Sequence, residues 1–123
     1  MNKQNELPFR ERFTFEERSS EANRIIRKYP NRIPVICERA ARSSIKPIDK
    51  QKYLVPSDLT VGQFAYVIRK RLLLKPETAI FVMVNNFFPS TSTEISTLYD
   101  QYKDDCGYLF LTYSGENTFG AYL

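Results

Sequence analysis

Histidine is absent from this 123-residue chain, which removes the side chain that most often acts as a general base near neutral pH or activates a serine or cysteine nucleophile. The commonest zinc ligand goes with it. The only cysteines, Cys37 and Cys106, have no paired spacing, so neither a metal site nor a disulfide framework is expected and both thiols are read as reduced and structural. Four glycines make no phosphate cradle. No apolar run could span a bilayer and the start, MNKQNELPFRERF, has no signal-peptide core, so the cytoplasm is the expected location. The adjacent carboxylates Asp104 and Asp105 are read as a solvated loop, because acid–base chemistry needs convergent groups and neighbours on one segment point apart. Neither an enzyme nor a cofactor is expected.

Charged residues at 26% and hydrophobic ones at 42% describe one ordinary globular domain. The net charge of +4 hides an asymmetry: residues 1–75 carry 17 basic and 8 acidic side chains, residues 76–123 only 1 and 6. A basic surface suits nucleic acid, an anionic membrane or acidic peptides, and charge alone does not separate them. The basic residues lie mainly on a helix and a connection without an aromatic stacking motif, so nucleic acid is not an expected partner.

A helical turn is expected within Glu6 to Arg12. Thr14 with Glu17 forms a capping box ahead of a helix that stops before Tyr29-Pro30. Arg32 to Glu38 alternates with an apolar residue on each face, which predicts a strand covered on both sides; Pro34 requires an edge position or an N–H that the sheet does not need. A basic connection from Ala40 to Ile48 leads to a second strand, Lys52 to Val55, as the return of a hairpin-like pair. Thr60 with Gln63 caps a helix from Val61 to about Leu73. Ile80 to Val84 reads as a central strand, Asn85-Asn86 as a turn with left-handed backbone, and Thr93 as the cap of a short helix from Glu94 to about Lys103. The last strand is Tyr108 to Tyr113, after which Ser114-Gly115-Glu116-Asn117 turns outward into a flexible tail. Nothing repeats internally. The order contains the ββαββ core of an α+β β-grasp fold with two additional N-terminal helices and a four-stranded mixed sheet.

The stretch DKQKYLVPSDLTVGQFAYVIRKRLLL places a strand directly before a helix, and a groove between the two suits capture of an extended peptide by strand addition. KYLVPSDLTVGQF followed by IRKR also resembles the signature of the autophagy ubiquitin-like modifiers, the family of GABA-receptor-associated protein. Further matches in register are Lys28-Tyr29-Pro30 with Arg32, Pro34-Val35-Ile36, Val84-Asn85-Asn86, Leu98-Tyr99, Tyr113-Ser114 and Phe119-Gly120. The resemblance implies a ubiquitin-like fold, with residues 1–28 as a helical extension packed on the core, 29–116 as the ubiquitin-like domain and 117–123 as a flexible tail.

It also implies a site. Acidic aromatic-x-x-aliphatic motifs of autophagy receptors would add as a strand beside the second strand. Their aromatic residue would enter a pocket of Glu21, Ile25, Pro34, Ile36, Lys52, Leu54 and Tyr108. The aliphatic residue would meet Tyr53, Val55, Pro56, Leu59, Phe64 and Val67. Arg32, Lys50 and Arg71 would form an electrostatic rim. An apolar helix stripe is more often core, and for Phe64, as for Ile33 and Ile68, that reading weighs as much as pocket lining. Ile80 to Met83 aligns with a second docking face of the family, but central-strand packing is the weightier account of that run.

At the tail, the resemblance implies that an autophagy cysteine protease cuts after Gly120. E1-like and E2-like enzymes would then conjugate Gly120 to phosphatidylethanolamine, moving the chain from the cytoplasm to autophagosome and cytoplasmic vesicle membranes during autophagosome formation. The alternative is an unconjugated adaptor that binds tubulin or vesicle-trafficking proteins. Three departures from the family pattern stand out: Thr14 in place of proline, Tyr108 in place of phenylalanine, and Cys106-Gly107.

Overall fold

The two-faced pattern of Arg32 to Glu38 becomes a strand buried from both sides in the computed structural model, which describes residues 7–116. The elements are α1 (Phe9–Arg12), α2 (Phe15–Lys28), β1 (Arg32–Arg39), β2 (Lys52–Pro56), α3 (Val61–Leu72), β3 (Phe81–Met83), α4 (Ile95–Tyr102) and β4 (Leu109–Ser114). They form a mixed sheet in the order β2-β1-β4-β3. β1 runs antiparallel to β2 and parallel to β4, and β3 is antiparallel to β4.

Side-chain alternation along β1 then sorts the core into two layers. Val35 and Cys37 join Val55, Leu109, Leu111 and Tyr113 beneath Phe64, Ile68 and Leu72 of α3 and Ile95 and Leu98 of α4. Ile36 points the other way, into a smaller cluster with Phe9, Ala22, Cys106 and Tyr108 under α1 and α2. Both cysteines are free and buried, and burial pushes the Cys37 thiol up out of its ordinary range. Pro34 is tolerated inside this central strand because its nitrogen faces the β4 side, where pairing begins only at Val35 with Leu109.

Both capping boxes form: Thr14 and Thr60 each accept from the third helical N–H, and Glu17 and Gln63 reach back to the cap. Leu73, in the left-handed region at φ 56°, ends α3. Arg69, Lys70 and Arg71 lie in its last turn, where the helix dipole favours cations.

Several expectations need correction. β3 is an edge strand rather than a central one; its apolar run reports that both faces are covered, Phe81 by the Phe88 ring at 6.0 Å among others, and says nothing of its place in the sheet. Thr93 is not the cap of α4. Glu94 occupies that position without a side-chain bond, and the orphan N–H groups of Ile95 and Ser96 donate to the Leu59 and Ser57 carbonyls at 2.8 and 3.2 Å. The Val61 and Gly62 N–H groups of α3 in turn donate to the Thr93 and Thr91 carbonyls at 2.8 and 2.9 Å, so each helix start is capped by the loop that leads into the other. Last, Ser114 to Glu116 do not turn outward: Gly115 and Glu116 are held on Ser43 and Ser44. Asn117 and the rest of the tail lie outside the described residues.

Asp104 is likewise no solvated residue, although Asp105 is exposed. Asp104 accepts from Arg10 at 2.8 Å and from the Cys106 N–H at 3.0 Å, with Arg18 at 3.9 Å, and so fastens α1 and α2 to the turn before β4. Partial burial alone would raise its pKa, but the Cys106 and Arg10 donors outweigh that and hold it at about 2 against an ordinary 3.8. A carboxylate depressed on folding stabilises fully above its unfolded value and loses that contribution as pH falls through the folded one. Asp104→Asn should therefore lower the melting temperature at pH 6, and the gap from the parent protein should close between about pH 4 and pH 2. A gap that is independent of pH in thermal scans would exclude this role.

Candidate functional site

The free edge of β2 is where the sheet can grow. The Cys37 N–H donates to the Gln51 carbonyl at 2.8 Å and the Ser57 N–H to the Asn31 carbonyl at 3.3 Å. In an antiparallel ladder bonded pairs alternate, so Val35–Tyr53 and Ile33–Val55 are the bonded pairs between these two bonds. The N–H and C=O groups of Lys52 and Leu54 consequently point away from β1, off the sheet. The Arg32 guanidinium lies 3.4 Å from the Leu54 carbonyl, which is consistent with that group being unused by the ladder.

The same alternation divides the β2 side chains. Lys52 and Leu54 project on the α2 side, and Tyr53 and Val55 project on the α3 side. On the α2 side a cleft of about 250 Å³ is lined by Ile25, Lys50, Lys52, Tyr53, Leu54 and Tyr108. Leu54 is 39% exposed there, whereas Pro34 and Ile36 lie buried deeper, away from the lining. Glu21 stands behind the cleft: Lys52 donates to its two carboxylate oxygens at 3.1 and 3.2 Å, and the Tyr108 hydroxyl donates to the first of them. Partial burial works against ionisation of Glu21, but the Tyr108 and Lys52 donors prevail and lower its pKa. Burial and the neighbouring Glu21 carboxylate raise that of Tyr108.

On the α3 side an open depression is lined by Asp49, Lys50, Tyr53, Val67, Lys70, Arg71 and Leu73. Of the residues expected around an aliphatic side chain, Tyr53 and Val67 line it, and Val67 is 40% exposed. Val55 and Phe64 are buried in the core beneath, Leu59 is half-buried and Pro56 exposed. Tyr53 stands edge-on to the Phe64 ring at 5.5 Å and donates its hydroxyl to the Lys50 carbonyl at 2.7 Å. Burial raises its pKa.

The rim differs from a simple row of cations. Arg71 is held by Asp49 through two bonds of 2.9 Å, and this pairing keeps the Asp49 carboxyl below its usual range. Lys50 has no carboxylate partner among the described residues and sits 5.1 Å from the Tyr53 ring centroid. A further cleft of about 350 Å³ beside α1 brings Arg12 and Gln51 close to Lys50, Lys52 and Arg71. Asp49, Arg12 and Leu73 were not among the expected site residues. Asp49 and Arg71 lie 22 positions apart, and no periodicity in the sequence joins them.

A strand laid on this edge would place alternate side chains on opposite faces, so residues three apart fall on opposite sides of the sheet. That spacing matches one cleft on the α2 side and one depression on the α3 side. The arrangement offers backbone pairing, apolar contact on both faces and a cationic rim; it contains no convergent nucleophile and base.

Known proteins share this architecture and much of this sequence. Residues 17–120 match the family described as "Autophagy protein Atg8 ubiquitin like". "Autophagy-related protein 8" of Schizosaccharomyces pombe is 58% identical over 113 residues, which span 92% of this chain and 93% of that protein. Its counterpart in Mycosarcoma maydis is 59% identical over 112 residues, 91% of this chain and 95% of the relative. The crystal structure of Trypanosoma brucei ATG8 superposes with a TM-score of 0.85 at 42% identity, covering 88% of this chain and 93% of that one. With the fold and the sequence in agreement over most of its length, this chain belongs to the Atg8 family of ubiquitin-like autophagy proteins.

Proposed function

We propose that this chain is a ubiquitin-like modifier that is cleaved after Gly120, conjugated through that glycine to phosphatidylethanolamine, and used during autophagosome formation to recruit receptors bearing acidic aromatic-x-x-aliphatic motifs. The observation that carries the reading is the unpaired β2 edge with an apolar cleft on each side of the sheet. In this assignment the aromatic residue enters beside Ile25, Leu54 and Tyr108. The aliphatic residue lies on Tyr53 and Val67, and Lys50 and Arg32 attract the flanking carboxylates. Such rim charges raise the encounter rate more than the final affinity. Two filled clefts with edge hydrogen bonds suit micromolar binding, about −8 kcal/mol.

The tail reading is supported by a family match that runs through Gly120. A terminal glycine has no side chain to obstruct a narrow enzyme channel, so a protease and then E1-like and E2-like thioester enzymes can reach its carbonyl. The catalytic cysteines belong to those partners; this chain supplies the carboxylate. Of the 1–28 extension, the described residues 7–28 pack on the 29–116 domain through Phe9 and Ala22, and 117–123 serves as the substrate segment.

Gly120→Ala should abolish the lipid-modified form in the membrane fraction of starved cells, read by intact mass, while leaving peptide binding unchanged. Full-length unmodified protein in that fraction from the parent chain would favour a protein-held adaptor. The exposed cations Arg24, Arg27 and Lys28 on α2 offer such an adaptor a surface for an acidic partner such as tubulin.

A further inference from the structure

The last described residues are fastened to the connection between β1 and β2. Glu116 accepts from the Ser44 N–H at 3.0 Å and from the Ser114 hydroxyl at 3.1 Å. The Gly115 N–H donates to the Ser43 hydroxyl at 3.1 Å, and that oxygen also accepts from the Ile45 N–H at 3.1 Å. Packing is close as well, because a Cβ at Gly115 would come within 2.7 Å of Ile45. Arg39 holds the other side of the turn through the Ser43 and Ile45 carbonyls at 3.4 and 3.2 Å. The side chains of Arg39, Ser43, Ser114 and Glu116 and the backbone N–H groups of Ser44, Ile45 and Gly115 thus form a clasp across 72 positions of sequence.

Of the three serines in this clasp Ser44 is the exposed one, in an irregular segment that an enzyme can bind in extended form. Its neighbourhood is basic: Arg39, Arg42 and Lys46 fall within Arg39 to Lys46, with no acidic residue among those eight. An exposed hydroxyl preceded by arginines suits the acidic substrate groove of a basophilic protein kinase, and the same segment anchors a carboxylate. We propose that Ser44 is a phosphorylation site whose modification opens the Glu116 clasp and frees the start of the C-terminal segment. In the transfer, the Ser44 Oγ bonds to the γ-phosphorus of a nucleoside triphosphate held by the kinase. The β,γ-bridging P–O bond breaks, the nucleoside diphosphate departs, and the hydroxyl proton passes to the kinase's base.

The phosphate brings nearly two negative charges beside the Glu116 carboxylate, and like charges on adjoining groups disfavour the contact. While the clasp is closed, the chain from Glu116 to Gly120 spans at most about 14 Å from its anchor, and release of Gly115 and Glu116 adds about 7 Å. Phosphorylation therefore lengthens the segment that enzymes can draw in. This consequence rests on the processing proposed above, but the clasp itself does not.

The test treats the full chain with a panel of basophilic serine/threonine kinases and ATP, locates phosphate by peptide mass, and reads amide hydrogen exchange at Ser44 and Gly115 by NMR. Phosphate on Ser44, absent in Ser44→Ala, with exchange at both amides faster by at least about tenfold, is the expected result. Glu116→Gln should accelerate the Ser44 amide even without phosphate. Absence of Ser44 phosphate across the panel, or unchanged exchange once it is there, overturns the proposal. Cleavage after Gly120 is assayed separately: accelerated exchange without cleavage of any form would count against the processing reading and leave the clasp standing.

Discussion

Leu54→Asp is expected to weaken binding of an acidic aromatic-x-x-aliphatic peptide by about 2–3 kcal/mol, roughly thirty- to a hundred-and-fifty-fold, with the melting temperature almost unchanged. Leu54 is suited to this test because its side chain is 39% exposed and lines the α2-side cleft, while its backbone groups point off the sheet edge. Replacing it removes little from the folded core. On binding, however, a carboxylate at this position would have to lose water beneath the incoming aromatic ring, and burying a charge without a partner is costly. It would also compete for Lys50 and Lys52, which line the same cleft, and so reduce the attraction for the peptide's acidic flank. Calorimetry with a synthetic peptide decides the matter: unchanged affinity in a folded Leu54→Asp protein would remove the β2 edge as the binding site. Because rim charges act mainly on encounter, the association rate should become less salt-dependent in the variant.

The fold was readable where a local signal and a tertiary requirement coincide. Thr14 with Glu17 and Thr60 with Gln63 announce helix starts because each box satisfies two orphan donors within four residues. Arg32 to Glu38 announces a strand covered on both faces, and that is the strand that carries α3 on one side and α2 on the other. What depends on distant partners was not readable. Thr93 looks like a cap, yet α4 takes its first acceptors from Ser57 and Leu59. Ile80 to Val84 looks central because coverage of both faces and position in the sheet leave the same apolar run. The candidate site divides in the same way: the stretch from Lys52 to Val67 contains one strand and one helix in sequence, so a groove between them follows. The Asp49–Arg71 pair and the Glu21–Lys52–Tyr108 network depend on tertiary proximity, and they change which rim cations are free.

Phe64→Ala tests whether Phe64 acts as a wall of the groove or as its foundation. It is 1% exposed, and with Val61, Ile68 and Leu72 it forms the buried stripe of α3. Truncation leaves a cavity under Tyr53, whose ring meets Phe64 edge-on at 5.5 Å, and such losses cost about 3–5 kcal/mol. Against a usual total of about 5–15 kcal/mol this is a large fraction, and a fall in melting temperature of more than about 10 °C should follow. Peptide affinity, measured at a temperature where the variant is still folded, should fall less than in Leu54→Asp. The reason is that the peptide would touch Tyr53 and Val67, the residues that line the α3-side depression, rather than Phe64 itself. Phe64→Leu should recover most of the stability, since it refills most of the volume. The opposite pattern, abolished binding with little loss of stability, would mean that the peptide opens the surface and contacts Phe64 directly. In that case the exposed depression seen beside α3 is only the entrance to the aliphatic pocket.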